Sequence, residues 1–381
     1  MTDDAALPLA GMRVIDCSRV LAGPFATMLL ADLGADVIKV ESPAGDDTRR
    51  WGPPFWGPER DGLSAYFTSV NRNKRSVVLD LKSDAGRVAL HGLARTADLL
   101  VHNFRPATAA RLGLDHAALA ALNPQLVTAV VGGFAGDDEA RRNRPAYDLL
   151  AQAVSGLMAV TGDAAGEPQK VGVAVLDLLA GLEVAVGALA TLMGRDRSSV
   201  RHVEASLVEV GVTSMINVLA NHLATREEPR RHGSAHPNIA PYQAFPTADG
   251  HVVIAVGTDA QFGRLLEVLG LTDARLRFGS NAARVRGRDA LTAWLGTAIR
   301  GRSREELVAA LREAEVPAGP VLGVGDAVAS MEASHGDAWV EERDGIRLAP
   351  SPLRIDGRRA PIRRAPPRLG EHTDEVLGEL S

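Results

Sequence analysis

The sequence is poor in cysteine, with Cys17 the single one in 381 residues. An internal disulfide is therefore excluded, and a chain of this length that relies on its core alone suits a reducing compartment, so the cytoplasm is expected. Cys17 lies in an apolar run with no neighbouring His or Lys to lower its pKa, which favours a small buried hydrophobe over a nucleophile. Positive charge is also scarce: 42 Lys and Arg stand against 47 Asp and Glu, a net charge of -5. Without a long basic stretch, neither nucleic acid nor an anionic membrane is expected as the main partner. No apolar stretch comes close to the roughly 20 residues of a membrane span, and the amino terminus lacks a charged segment followed by an apolar core. A dinucleotide-binding fingerprint is missing too. The first turn, residues 18–24, has Gly23 alone where a pyrophosphate cradle needs three spaced glycines, so an NAD-dependent dehydrogenase is excluded even though Glu41 ends the second strand where a ribose-binding acid would sit. The 10 histidines are scattered; only His232 and His236 fall at i, i+4, and Gly233 and Pro237 argue against a helix there, so no metal site is expected.

What is present reads as a globular enzyme. Hydrophobic residues at 46% and charged residues at 23% rule out a disordered chain, and the length exceeds one ordinary core, which predicts two domains. Strand-like runs at 12–17, 36–40, 76–81, 99–102 and 127–131 alternate with helical stretches, the first at 25–33. That alternation predicts a parallel sheet wrapped by helices, Rossmann-like in architecture. Residues 176–193 form an Ala, Leu and Val-rich helix that is apolar nearly all round, and a strand starting at Arg201 leads into a helix running to Thr225. A Pro, Arg, His and Gly-rich break at 226–246 precedes a smaller α+β unit. It opens with a hairpin over 244–255 that turns at Asp249 and Gly250 and continues with helices at 259–269, 288–299 and 304–315. Beyond Gly319 the chain is irregular and basic until a short helix at 373–380. The expected division is 1–200 for the large domain, 201–225 for a linker helix, 226–320 for the small domain and 321–381 for a segment that returns to complete the large one.

Three features carry chemistry. Asn71, Arg72, Asn73, Lys74 and Arg75 precede one strand, and Asn103, Phe104 and Arg105 follow another, with Arg111 beyond. Solvated surface is one reading of these clusters. The other is a site for a phosphorylated adenine nucleotide, since both lie at sheet edges and combine charges for phosphates with a ring for stacking. Asp177 begins the apolar helix, where a carboxylate is disfavoured unless it caps the helix or does chemistry; both readings stand.

Taken in order, these clusters resemble the class III CoA-transferase family, also called CaiB/BaiF. The likeness includes residues 9–16, Leu21 to Pro24, residues 33–41, Asn73 to Ser76, Asn103 to Pro106, residues 111–114, Tyr147 with Asp148 and Gln152, residues 155–157, Asp177 with Ala180 and Gly181, His236 with Pro237, Pro241 with Tyr242, residues 316–321, and the tail at 369–376. The resemblance implies a Rossmann-like large domain plus a smaller α+β domain in an interlocked homodimer. It implies that CoA moves from an acyl-CoA donor to a carboxylic acid acceptor through an aspartyl-acyl anhydride and an aspartyl-CoA thioester. Asp177 matches the nucleophile and Asp148 an acid near the site. Val20, Leu21, Ala22, residues 71–75, residues 103–105 and Arg111 match CoA-binding loops. Coenzyme A and its thioesters are substrates, and no metal or prosthetic group is needed. Two alternatives accompany this reading: an α-methylacyl-CoA racemase of the same family, disfavoured because Tyr147 stands where the racemase histidine would, and a non-catalytic CoA-binding protein. Formyl-CoA:oxalate transferases carry a glycine-rich loop; residues 232–244 hold only Gly233, which argues against oxalate, and Leu21 in place of a polar residue points to a less polar acyl pocket.

Overall fold

The computed structural model describes residues 7–58, 62–194, 201–272, 275–335 and 339–380. The chain divides into two compact units, one of residues 1–157, 171–215 and 335–381, the other of residues 158–170 and 216–334.

The larger unit is built on six strands: β1 (Arg13–Asp16), β2 (Asp36–Glu41), β3 (Lys74–Val78), β4 (Leu99–His102), β5 (Val127–Gly132) and β6 (His202–Ser206). All five pairings are parallel, and the spatial order is β3-β2-β1-β4-β5-β6. That is the doubly wound order, with a switch point between β1 and β4 where the chain leaves the sheet in opposite directions. Along β1, Val14 and Ile15 point to opposite faces. Val14, Val37, Leu99, Val101 and Val127 build one core, and Ile15, Ile38, Val77 and Leu100 the other. Burial on both faces explains why these strands read as unbroken apolar runs rather than as alternating ones.

Helix α1 (Ala22–Asp32) and helix α4 (Val175–Gly194) lie together on the first face, with α2 (Asp84–Thr96) and α3 (Asp148–Val154) between them in sequence. Gly181 sets the close approach of α4 to α1: a Cβ there would stand 2.6 Å from the Ala22 carbonyl oxygen. Leu176, Ala180, Val184 and Ala188 form the buried stripe of α4 at i, i+4 spacing. At 20 residues this helix is long and apolar enough, by length and composition, to cross a membrane, which corrects the expectation that no stretch reaches that length. Asp177 and Glu183 interrupt its apolar run, so the sequence holds no unbroken apolar stretch of that length.

The strand at 202–206 is a full member of the sheet, and α5 (Leu207–Ser214) follows it in the same unit. The expected single helix to Thr225 is instead two, the second over Ile216–Thr225 with Ile216 at φ +36°. The expected boundary at residue 200 falls among residues 195–200, outside the described residues. The carboxy-terminal segment returns to the sheet edge. The Asn73 carbonyl oxygen of the side chain accepts from the Arg363 and Arg364 amides at 2.6 and 2.9 Å, and Ser76 O accepts from His372 N at 2.9 Å.

In the smaller unit, strands β7 (Tyr242–Pro246) and β8 (His251–Ala255) form the expected antiparallel hairpin, joined on the other side of β8 by β9 (Ala318–Pro320). Gly250 at φ +152° closes its turn. Three helices, Asp259–Leu269, Arg288–Ile299 and Arg304–Glu313, cover it with Phe262, Leu266, Leu295 and Leu311.

Candidate active site

Ligands of open parallel sheets bind beyond the carboxyl ends of the strands at the switch point. Here that place is a cavity of about 100 Å³ between the ends of β1, β4 and β5. Its walls include Arg19, Val20, Leu21, Ala22, Asn103 and Arg105, and Asp177 reaches it from the first turn of α4. Three of the sequence-predicted groups are thus gathered in one cleft.

Asp177 is 9% exposed, and its carboxyl group accepts no hydrogen bond among the described residues. The capping reading of this residue does not hold. The acceptor for the amides at the start of α4 is Asp148, which takes Leu176 N at 2.8 Å and Asp177 N at 3.4 Å on one oxygen and Gln152 Nε2 at 2.6 Å on the other. The Gln152 Oε1 in turn accepts from Val171 N at 2.8 Å. Burial pushes the Asp177 carboxyl up to about 7, with the Asp148 charge adding to the shift. Tyr66 is pushed up to about 12, by its burial first and then by the negative field of Asp177, Asp148 and Asp46. Nothing along the chain marks Tyr66 as a neighbour of the acid, because the two stand 111 positions apart and no motif joins them.

No side chain caps α1, whose first-turn amides have no acceptor within the helix, and Leu21 and Ala22 at its start line the cavity. Gly23 permits the tight entry: a Cβ there would overlap Ser18 at 2.3 Å.

A second cavity, about 530 Å³, lies beyond the ends of β1, β2, β3 and β4 and shares Arg19 with the first. Phe104, Thr108 and Arg111 form one wall, Ser42 and Gly45 another, and Lys82 stands at the rim. Arg19 lies over the Phe104 ring at 5.6 Å. Ser42, Gly45 and Lys82, which also line this cavity, were not singled out from the sequence.

The side chains of residues 71–75 are buried and paired within the protein. Arg72 makes a bidentate pair with Asp32 at 3.0 and 2.5 Å, and Asn73 donates to the same carboxylate at 2.8 Å. Lys74 uses all three of its protons internally, on Asp16, the Pro24 carbonyl and the Asn71 side chain, at 3.0, 2.8 and 2.9 Å. Arg75 is held by Asp36, Glu375 and Glu379. All five are 6% exposed or less. A run of basic and amide residues looks the same in sequence whether its charges meet phosphate or buried carboxylates. Cys17 is buried at 2% exposure, and its thiol is pushed far up by burial and by Asp16. Among the described residues, no group of three or more His, Cys, Asp or Glu is placed to hold a metal ion.

A doubly wound sheet with an unpaired, buried acid in its switch-point cleft defines a Rossmann-type enzyme in which a carboxylate is the reactive group available. The chain matches the model of CoA-transferase family III over residues 9–373 and belongs to that family. It is 39% identical over 391 residues to the succinate–glutarate CoA-transferase of Agrobacterium fabrum, spanning 98% of this chain and 96% of that one. It is 36% identical over 380 residues to the acetyl-CoA:oxalate CoA-transferase of Acetobacter aceti, again covering 98% of this chain and 96% of the relative. Among solved structures, a CaiB/BaiF family protein from Brucella suis superposes with a TM-score of 0.85 at 38% identity, covering 98% of this chain and all of that one. The chain is a family III CoA-transferase, an enzyme whose substrates are CoA thioesters and carboxylic acids.

Proposed function

We propose that Asp177 is the nucleophile of a ping-pong CoA transfer between dicarboxylic acids. The observation that carries this reading is the unpaired carboxyl group of Asp177, buried yet open to the cavity at the switch point. As a carboxylate it attacks the thioester carbonyl of the donor, giving a mixed anhydride and free CoA thiolate. The thiolate attacks the aspartyl carbonyl, releases the donor acid and leaves an aspartyl-CoA thioester. An acceptor carboxylate then attacks that thioester, the thiolate takes the acyl group of the new anhydride, and Asp177 is regenerated. The thioester carries the activation throughout, so no prosthetic group is needed. The uncapped amides at the start of α1 are the donors best placed for the oxyanions.

Asp148 acts as a positioning residue: with both oxygens committed, it fixes the first turn of α4 and keeps the Asp177 carboxyl basic. The pantetheine arm runs along Val20, Leu21, Ala22, Asn103 and Arg105. The adenine nucleotide fills the larger cavity, with Phe104 for stacking and Arg19, Lys82 and Arg111 for phosphates. Arg144, in the wall of the Asp177 cavity, offers a counter-charge to the distal carboxylate of a dicarboxylic acid. Supporting this acid class, both transferases named above carry dicarboxylates in their names. The working form is an interlocked homodimer in the cytoplasm. The exposed stripe of Leu182, Val186 and Met193 on α4 supports a subunit contact.

The racemase alternative is weakened by the cavity itself, whose walls contain no histidine among the described residues; Tyr147 lines it, 61% exposed. The test is transfer from succinyl-CoA to a panel of acids in deuterated water, read by mass spectrometry. The expected result is ping-pong transfer to four- and five-carbon dicarboxylates. Exchange of an α-proton without transfer would instead support the racemase.

A further inference from the structure

Every backbone polar group from the Ser18 amide to the Val20 amide is held by a side chain from elsewhere in the large unit. Ser18 N donates to Asp16 Oδ1 at 2.9 Å, and Ser18 O accepts from Lys39 Nζ at 3.0 Å. Arg19 N and O are both taken by the Asn103 side chain, at 3.0 and 2.7 Å. Val20 N donates to the two Asp46 oxygens at 3.4 and 3.3 Å, with Val20 held at φ +71°. A β-branched residue avoids that region unless its surroundings impose it.

The clamps are tied to one another. Lys39 joins Ser18 O to Asp46 Oδ2 at 3.0 Å, and Asp16, which holds Ser18, is paired with Lys74 at 3.0 Å. All four charged side chains are fully buried, and their charges cancel. Asp46 is also fixed from its own loop, accepting from Thr48 N at 3.0 Å and Thr48 Oγ1 at 2.8 Å. A lattice of this kind is a poor source of stability, since well-packed apolar groups of similar volume serve as well or better. What it provides is a fixed geometry for the loop.

We infer that Lys39 and Asp46, backed by Asp16 and Lys74, are positioning residues that set the Ser18–Val20 backbone in its CoA-ready form before the substrate arrives. The inference rests on the proposed seat of CoA against Val20 to Ala22. Neither Lys39 nor Asp46 transfers a proton or touches the thioester; together they remove the ordering cost that a free loop would add to each binding event. Lys39 is invisible to a motif search for ligand contacts because its whole effect passes through Ser18 O and Asp46.

The test is the double variant Lys39→Met with Asp46→Leu, which removes both charges at similar volume. The expected result is a folded protein whose CoA dissociation constant rises roughly tenfold or more, the equivalent of releasing one strained residue. The maximal rate at saturating acyl-CoA falls much less than the affinity. A folded double variant with the wild-type dissociation constant overturns the inference. A second measurement stands independently of that variant's folding: hydrogen exchange of the Ser18, Arg19 and Val20 amides of the wild type without ligand. Slow exchange is expected; exchange at the rate of an unstructured peptide, slowed only by CoA, overturns the inference. Failure of the wild type itself to bind CoA would instead strike the proposed CoA seat, so the two failures are distinguishable.

Discussion

Replacing Asp177 with Asn should stabilise the protein, and the gain should grow with pH. The ordinary carboxyl value of 3.8 applies to the unfolded chain, while in the folded protein burial and the Asp148 charge push the group up to about 7. Between those values the folded protein binds more protons at this site than the unfolded chain does. Its stability is therefore highest below the lower value and declines as pH rises towards the upper one, where the loss is complete. Three pH units at about 1.4 kcal/mol each give a ceiling of about 4 kcal/mol. Asn keeps the shape and has no charge to bury, so Asp177→Asn escapes that loss. For a unit of this size the melting temperature of the variant should exceed that of the wild type by up to roughly 10 °C at pH 8, with the difference vanishing near pH 4. Thermal melts across pH 4–9 provide the measurement. A difference that stays flat with pH, or that grows towards acid, would mean that the Asp177 carboxyl is not raised by burial, because the second pattern belongs to a carboxylate that caps a helix.

The pH dependence of turnover should mirror this from the other side. The nucleophile is the ionised form, so kcat/KM should rise with pH through about 7 and then level off. Asp148→Asn should move that inflection to lower pH by removing the like charge, while keeping part of the cap on α4; an unmoved inflection would count against the coupling. Asp148→Ala, which leaves the Leu176 amide without its acceptor, should cost roughly 100-fold in kcat with a smaller change in KM, as measured by steady-state kinetics. Arg72→Ala leaves Asp32 buried and unpaired, so it should destabilise the fold by about 3–5 kcal/mol in denaturant titrations. The same variant should leave the CoA affinity of the folded protein near wild type. Gly181→Val should force α4 away from α1 and lower both stability and turnover, read by melting and rate together.

Much of the fold was legible because the sheet is buried on both faces. Its strands are apolar runs bounded by turns, and the strand at Leu99–His102 and the helix at Asp259–Leu269 fall where the pattern put them. The third strand begins at Lys74, two residues before its expected start, since Lys74 and Arg75 look like loop residues until their buried carboxylate partners are known. The same ambiguity hides the internal partners of residues 71–75: charge pairing over long sequence distances, such as Arg75 with Glu379, leaves no local signal. Asp177 was legible as an acid in an apolar setting, but its role was not. Only the structure shows that the capping oxygen comes from Asp148, 29 positions earlier in the chain. Likewise Ser42 and Lys82 reach the larger cavity through the strand order, not through any spacing visible along the chain.

The proposed transfer turns on one step, the covalent attachment of CoA to Asp177. Intact-mass analysis after incubation with succinyl-CoA, followed by peptide mapping, tests it directly. The expected result is an adduct of CoA less one water on the peptide that contains Asp177, converted by hydroxylamine to a hydroxamate at that residue and absent from Asp177→Asn. An adduct on another residue, or undiminished transfer by Asp177→Asn, would contradict it.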